Sequence, residues 1–286
     1  MSIKIIQDRL DSYQCKSALE EEQALREITQ EVALAALARS NFFKFAAFHG
    51  GTCLRIFYSM NRFSEDFYFL LKERNENFSL QPYLKDLSDE LLAYGYQLEV
   101  VDRSKADSAV KKAFIKDSSI GKVLQLNHLR ADRSMRKIRI KLEIDTNPPE
   151  GSGYEIKYLD FPFVSSATVQ DLPSLFAGKI HAMLCREYAK GRDWYDFIWY
   201  TSRSVHINYQ FLASALKQQG PWRGQELQID KEWCLKTLRD RICSLDWQEA
   251  KDDIKRFIQQ KELVSIELWS KELFLDRLDN YASKID

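Results

Sequence analysis

Several features that would mark a specialised class of protein are scarce in this 286-residue sequence. Its five cysteines are odd in number and scattered, with no Cys-x-x-Cys pair, which disfavours a disulfide framework or a zinc knuckle. Ten glycines and six prolines are fewer than average, which argues against collagen-like, low-complexity or extensively disordered character. We therefore expect a globular chain with a substantial core.

An excess of charge of either sign is also missing. Forty-two basic residues balance 42 acidic ones, so any contact with nucleic acid must come from a local patch. No apolar run reaches the roughly 18 residues of a membrane span, and the segment Met1–Arg9 lacks the apolar core of a signal peptide. The expectation is a cytoplasmic protein that is neither secreted nor membrane-spanning.

The spacing of apolar residues predicts an α/β (α+β) chain, with a mixed β-sheet domain followed by a helical domain. Helical periods cover Ser17–Arg39, a short segment after Gly50-Gly51 and Leu80–Tyr94. Predicted strands or extended segments are Phe42–Phe48, Phe67–Leu71, Gln97–Val101, Lys112–Ile115, Lys122–Leu126 and Arg136–Asp145. From Val169 onward the pattern is almost wholly helical, so the predicted domains are residues 1–165 and 166–286.

A glycine turn is the first candidate functional element. His49-Gly50-Gly51-Thr52 leads into the predicted short helix, whose free N–H groups and dipole favour a phosphate. Glycine pairs before helices are usually only turns, so this motif alone is weak evidence. Asp66 follows at the start of the next strand, where its carboxylate could face the turn.

These motifs together resemble the AbiEii/AbiGii toxin family, a branch of the DNA polymerase beta-like nucleotidyltransferase superfamily. The resemblance rests on the combination of Gly50–Arg55, Arg62–Asp66, the charged strand Lys141–Asp145, Lys179 and the Arg-Asp-x-x-Asp element Arg192–Asp196. It implies a nucleotidyltransferase-like fold, and transfer of a nucleoside monophosphate from a nucleoside triphosphate with Mg²⁺. That chemistry suits the preference of magnesium for carboxylates plus substrate phosphates.

The resemblance also implies roles for individual residues. Gly50, Gly51, Thr52, Arg55, Ser64 and Lys179 would bind the nucleotide, with Arg55 or Lys179 countering the triphosphate charge. Asp66 would bind metal and act in catalysis together with Lys179, Asp193 and Asp196.

Residue 68 departs from the family pattern. The first motif of the family normally ends Asp-x-Asp, and here Tyr68 occupies the second position. A neutral phenol is a poor magnesium ligand, so the site should be weakened. Three explanations stay open: Asp145 or Glu143 on a neighbouring strand supplies the missing oxygen, catalysis is lost, or the substitution disarms a toxic enzyme.

Each candidate also has a purely structural interpretation. Glu143 and Asp145 can occupy a solvated strand face, and Lys179, Arg192 and Asp193 can be ordinary helix-surface charges. Asp196 is different, because its sequence neighbours are apolar aromatics that prefer burial. A buried carboxylate needs a cationic partner, for which Lys179 and Arg192 are the candidates.

Other chemistry has little support. The four histidines show no i, i+4 pairing, and Cys53 is best interpreted as a small buried residue. The densest basic stretch, Leu129–Lys141, is either a local nucleic-acid patch or a solvated hairpin.

The leading hypothesis is a nucleotidyltransferase toxin of a type IV toxin–antitoxin or phage-defence system. The resemblance implies an RNA acceptor, in particular the 3′ end of tRNA, and a cognate antitoxin as partner. The alternative is a catalytically silent nucleotide-binding or regulatory protein, which Tyr68 motivates. Phosphorylation of a hydroxyl group by the same fold is a third possibility that the residues do not separate from the first.

Overall fold

The computed structural model describes residues 2–103, 109–117, 119–129 and 138–285. Its strands are β1 Ala46–His49, β2 Phe67–Leu71, β3 Leu98–Asp102, β4 Val110–Asp117, β5 Ile138–Asp145, β6 Tyr154–Leu159 and β7 Ser165–Gln170. Its helices are α1 Ser2–Ser12, α2 Ala18–Arg39, α3 Gly50–Tyr58, α4 Gln81–Ala93, α5 Ile120–Val123, α6 Leu172–Cys185, α7 Gly191–Ser202, α8 Tyr209–Gln218, α9 Lys231–Ser244, α10 Trp247–Ile254, α11 Leu263–Glu267 and α12 Lys271–Ala282. The predicted mixed α/β class is confirmed. None of the described helices is long and apolar enough to cross a membrane.

The described strands form one seven-stranded sheet in the order β3-β4-β5-β2-β1-β7-β6. Strand β2 lies between an antiparallel neighbour, β1, and a parallel neighbour, β5. In β5 the even-numbered residues from Ile138 to Ile144 are buried, and the odd-numbered residues from Arg139 to Asp145 are more exposed, as the predicted alternation requires. The charged side chains of this strand therefore share one face of the sheet.

The chain divides into two compact units. The first comprises Met1–Ser59, Phe63–Pro148 and Glu155–Val169, and the second comprises Met60–Arg62, Pro149–Tyr154 and Gln170–Asp286. The sheet belongs mainly to the first unit, and helices α6 to α12 belong to the second.

Three predicted segments differ from the structure. The sequence predicts a strand over Lys122–Leu126, but residues Ile120–Val123 form α5. The chain turns there because the buried Asp117 carboxylate accepts the N–H groups of Ser119 and Ile120, both at 3.0 Å. Phe42–Lys44 is a single 3₁₀ turn, and the strand begins only at Ala46. The helical part begins at Leu172 rather than at Val169, because Asp171 is the N-cap of α6 and accepts the N–H of Ser174.

The first unit is built around a cluster of phenylalanines. Phe48 on β1 is fully buried, and its ring lies 5.1 to 6.1 Å from those of Phe57, Phe67 and Phe69. Since Phe57 is on α3 and the other two rings are on β2, these contacts hold the short helix against the strands that flank its N-terminal turn. The candidate phosphate turn therefore rests on a rigid core.

The second unit has its own aromatic core. The rings of Phe176 on α6 and Tyr200 on α7 stack at 4.4 Å, and Trp194 on α7 packs edge-on against Phe274 on α12 at 5.4 Å. The Phe274 ring also stacks on Trp247 at 4.1 Å. This core fixes α7, which carries the Arg-Asp-x-x-Asp element.

Replacing Phe48 by alanine tests the importance of the phenylalanine cluster. We expect Phe48→Ala to lower the free energy of unfolding by about 3–5 kcal/mol, because it removes a buried ring and leaves a cavity. Phe45→Ala is the matched control, since this neighbouring ring is 53% exposed and its loss should cost under about 1 kcal/mol. Urea denaturation followed by circular dichroism measures both, and equal losses would contradict the assignment.

Candidate functional site

The turn between β1 and α3 has the backbone conformation that the phosphate hypothesis requires. His49 is extended, and Gly50 has φ +81°, in the left-handed region that glycine adopts without strain. A Cβ atom at Gly50 would also lie 3.3 Å from the Tyr68 ring. The first N–H groups of α3 follow this turn, and such groups have no acceptor within their own helix. They are suitable donors to a phosphate.

Thr52 and Ser64, which the family resemblance assigns to the nucleotide, form hydrogen bonds within the fold. The Thr52 hydroxyl is fully buried and donates to the backbone carbonyl of Asp66 at 2.5 Å. The Ser64 hydroxyl lies 2.9 Å from the Thr52 hydroxyl. These bonds fix the start of α3 to the start of β2, so the two side chains hold the turn and the Asp66 backbone in register.

Gln30 is a positioning residue that the sequence analysis missed. It lies on the buried face of α2, and its side-chain amide donates to the carbonyls of Ser64 and Glu65 at 3.2 and 2.9 Å. These bonds hold the segment that leads into Asp66. The signal in the sequence was a polar residue on an otherwise apolar helix face.

Asp66 directly precedes β2, and Tyr68, two residues further along the chain, turns its side chain to the same side of the sheet. The Tyr68 hydroxyl donates to the Asp66 carboxylate at 3.4 Å, and the Lys141 N–H donates to the other carboxylate oxygen at 3.4 Å. Both bonds are long and therefore weak. Burial raises the pKa of the Asp66 carboxyl, and the charge of Glu65 adds to this rise. Asp66 thus remains a partly buried carboxylate that a cation would stabilise.

The two acids on β5 lie at different distances from Asp66. Glu143 is paired in register with Tyr68, and its carboxylate lies 2.9 Å from the Lys141 ammonium and 3.3 Å from that of Lys112. Asp145 is paired with Leu70, about 13 Å beyond the level of Asp66 at about 3.3 Å per residue. The structure therefore brings Glu143, and not Asp145, toward Asp66 and Tyr68.

The carboxylates near Asp66 are the protein donors that a magnesium ion would use. In the part of the chain that the structure describes, no group of three or more His, Cys, Asp or Glu side chains could hold a metal by itself. Magnesium is commonly held by one or two carboxylates plus substrate phosphates and water. Asp66, with Glu143 on the adjacent strand, fits an ion whose remaining ligands come from the nucleotide.

Arg55 forms an ion pair with an acidic residue of the first unit. Its Nε donates to the Glu27 carboxylate at 2.8 Å, and its guanidinium lies 4.5 Å from the centre of the Phe63 ring. Much of its charge is therefore neutralised within the fold. Nearby, Cys53 is fully buried, and burial raises the pKa of its thiol well above the usual value, so it fits the expected role of a small core residue.

The second unit contains a buried ion-pair network. The Asp196 carboxylate is completely buried and receives two bonds of 2.6 Å from the Arg62 guanidinium. The Lys179 ammonium bridges the two carboxylates of α7, at 2.8 Å from Asp196 and 2.7 Å from Asp193. Arg186 pairs with the other oxygen of Asp193 at 2.7 Å. Three cations thus hold two buried carboxylates.

Electrostatics keeps Asp193 ionised. Burial by itself raises the pKa of its carboxyl, but the charges of Lys179, Arg186 and Lys190 outweigh burial and lower the pKa below the usual value. Asp193 is therefore a permanent anion near neutral pH, and it fixes the position of the Lys179 ammonium.

Asp196 was expected to pair with Lys179 or Arg192, and the structure shows the pair with Lys179. The Arg192 guanidinium lies 3.5 Å from Asp253 and 4.0 Å from the centre of the Phe257 ring. The principal partner of Asp196 is Arg62, which the sequence analysis quoted only as part of a motif. Its position directly before Phe63-Ser64-Glu65-Asp66 was the available signal.

Most of the basic stretch Leu129–Lys141 cannot be tested as a nucleic-acid patch, because residues 130–137 lie outside the described residues. At its end, the Arg139 guanidinium lies 4.4 Å from the centre of the Phe114 ring, and Lys141 pairs with Glu143.

Comparisons with known proteins show the family and the fold of this chain. The family described as "Nucleotidyl transferase AbiEii toxin, Type IV TA system" matches residues 32–277. No curated protein matches the sequence.

Three solved structures share the fold. JHP933 from Helicobacter pylori has a TM-score of 0.55 at 17% identity, covering 92% of this chain and 91% of that one. A putative nucleotidyltransferase from H. pylori has a TM-score of 0.52 at 16% identity, covering 90% and 92%. The nucleotidyltransferase toxin MenT4 (Rv2826c) from Mycobacterium tuberculosis H37Rv has a TM-score of 0.50 at 14% identity, covering 100% of both chains. At these identities the structures establish the fold, and the family match over most of the sequence establishes kinship: the chain belongs to the AbiEii family of nucleotidyltransferase toxins of type IV toxin–antitoxin systems.

Proposed function

We propose that this protein transfers a nucleoside monophosphate from a nucleoside triphosphate, with Mg²⁺, to a hydroxyl group of an RNA acceptor, the 3′ end of tRNA. Family membership supports the reaction class and implies an antitoxin as partner. The acceptor, the use in phage defence and the cytoplasmic location are parts of the proposal. The main observation that supports the proposal is that Asp193 and Asp196 hold the Lys179 ammonium. In addition, Asp66 lies beside the glycine turn.

In the proposed reaction, the acceptor hydroxyl oxygen attacks the α-phosphorus and the bond to pyrophosphate breaks. Catalysis of such transfers depends on positioning and on neutralising negative charge. Bound magnesium would supply part of that neutralisation. The first N–H groups of α3 orient a phosphate at Gly50-Gly51, Thr52 and Ser64 keep that turn fixed to β2, and Asp66 presents a carboxylate. Lys179 supplies a fixed positive charge.

A catalytically silent nucleotide-binding protein is the second candidate, and the contacts of Tyr68 favour it. The ring packs beside Gly50 at the phosphate turn, and the hydroxyl contacts Asp66. Tyr68 therefore both removes a carboxylate oxygen from the motif and fills space beside the turn.

Calorimetric titration of each nucleoside triphosphate, with and without Mg²⁺, separates the two candidates. We expect magnesium-dependent binding by the natural sequence, and affinity about tenfold higher for Tyr68→Asp, because a second carboxylate completes the pair on β2. Tyr68→Phe is the control, since it keeps the ring and removes only the hydroxyl, and its affinity should stay near that of the natural sequence.

The same titrations identify the silent protein. The natural sequence could bind nucleotide independently of magnesium and transfer no labelled nucleotide to tRNA. This result would show a nucleotide-binding partner protein and reject the transferase. Magnesium-dependent transfer by the natural sequence would remove the silent candidate.

Lys179→Met tests the buried cation. We expect at least about a hundredfold loss of nucleotide transfer, because one fixed charge-stabilising donor is removed. Arg62 and Arg186 still pair with Asp196 and Asp193 in this variant, so the fold should persist. The matched control is Lys236→Met, which removes an exposed cation on α9 of the same unit and should change transfer less than about threefold. Thermal melting confirms that both variants are folded, and equal activities would refute the role of Lys179.

A further inference from the structure

Strand β6 lies at one edge of the seven-stranded sheet. It pairs with β7 on one side, and within residues 2–103, 109–117, 119–129 and 138–285 no strand lies on its other side. In the same ranges the backbone of β6 makes no hydrogen bond to a turn or loop. The outward-facing N–H and C=O groups of this strand can therefore pair with a further strand.

One face of β6 is apolar and exposed. Ile156 is 66% exposed and Tyr158 is 70% exposed, and Tyr154 lies on the same face at the start of the strand. The strand at the opposite edge of the sheet, β3, instead exposes the acidic side chains of Glu99 and Asp102. Natural proteins use charge to protect an edge from pairing, whereas an exposed apolar edge favours association with another strand.

The other face of β6 carries one charge of each sign. The Lys157 ammonium lies 3.0 Å from the Glu155 carboxylate and 4.6 Å from the centre of the Tyr58 ring. The Tyr58 hydroxyl donates to the same carboxylate. These contacts hold the two opposite charges along the strand, two residues apart.

The segment Tyr-Glu-Ile-Lys-Tyr at residues 154–158 is complementary to itself in the antiparallel direction. When Ile156 lies opposite Ile156 of a second copy, Glu155 lies opposite the second copy's Lys157. Tyr154 then lies opposite the second copy's Tyr158. Because directly opposite residues share a face, two pairs of unlike charges form on one face and a continuous apolar row forms on the other.

Other registers lose this complementarity. A slip of one residue places Ile156 opposite a charged side chain. A slip of two residues places Glu155 opposite Glu155, or Lys157 opposite Lys157, and like charges directly opposite each other are destabilising. Parallel pairing in register produces the same repulsion. The charges of β6 therefore favour one antiparallel register, centred on Ile156.

We infer that β6 is a surface for self-association, through which two copies of this chain pair antiparallel about a two-fold axis at Ile156. The sheet then continues from one copy into the other, and the same residues contribute from both sides, as in closed dimers. Strand β6 has six residues, so the interface is small and the dissociation constant should be on the order of 10 μM.

Sedimentation velocity of the full chain, between about 1 and 200 μM, tests this inference. We expect a dimer whose fraction rises with concentration. Ile156→Lys should weaken the dimer by at least about tenfold, because it places two ammonium groups opposite each other at the axis. Leu268→Lys is the matched control, since Leu268 is 69% exposed and follows α11, outside the sheet, so the dimer should be unchanged.

Reversing the charges one at a time tests the register. Glu155→Lys and Lys157→Glu each place like charges opposite one another when a variant pairs with itself, so each variant alone should be mainly monomeric. In an equimolar mixture, each lysine of the first variant lies opposite a glutamate of the second, so a heterodimer should form. Thermal melting checks that every variant is folded.

Several outcomes would overturn the inference. A natural sequence that stays monomeric at every concentration would do so, and the edge would then suit an extended segment of a different protein. A dimer that Ile156→Lys leaves intact, or that Leu268→Lys disrupts equally, forms through another surface. If the natural sequence dimerises but the two charge variants do not associate on mixing, the antiparallel register is wrong.

Discussion

The burial of the Asp196 carboxylate is the constraint on which the second unit depends. An unpaired charge at that depth would cost several kcal/mol, so its cationic partners must be in place whenever α7 is packed. The fork of Arg62 satisfies both carboxylate oxygens, and Lys179 adds a third contact. Because Lys179 also contacts Asp193, two carboxylates on the same turn of α7 bind its ammonium. The packing of aromatic residues around α7 and the position of the Lys179 ammonium therefore depend on each other.

In the first unit the corresponding constraint is the alternation of the strands. One face of β2 and β5 carries the core, and the other carries Asp66, Tyr68, Lys141 and Glu143. With tyrosine at position 68, this face has two lysine contacts to Glu143, and Asp66, directly before β2, is the one carboxylate of the Asp-x-Asp motif that remains. Its electrostatic potential is consequently less negative than that of a strand bearing two aspartates. A protein with this surface repels a free triphosphate less and attracts a divalent cation less.

The sequence predicts the elements whose periodicity is strong. Helices α2 and α3 and strands β2 and β5 follow directly from apolar spacing, and a cation beside Asp196, either Lys179 or Arg192, follows from the need of a buried carboxylate for a partner. Lys122–Leu126 was mistaken for a strand, because alternation over five residues does not reveal the capping carboxylate of Asp117. Arg62 and Asp196 are 134 residues apart, and neither spacing nor composition signals so distant a pair.

The Tyr68 ring limits which side chains position 50 can carry. A Cβ at residue 50 would press on the ring at 3.3 Å, and φ +81° independently disfavours most side chains there. A smaller residue at 68 removes the first restriction and leaves the second, so asparagine or aspartate at 50 would become the least strained replacements. On steric grounds, the residues that fit at position 50 therefore depend on whether position 68 carries a ring.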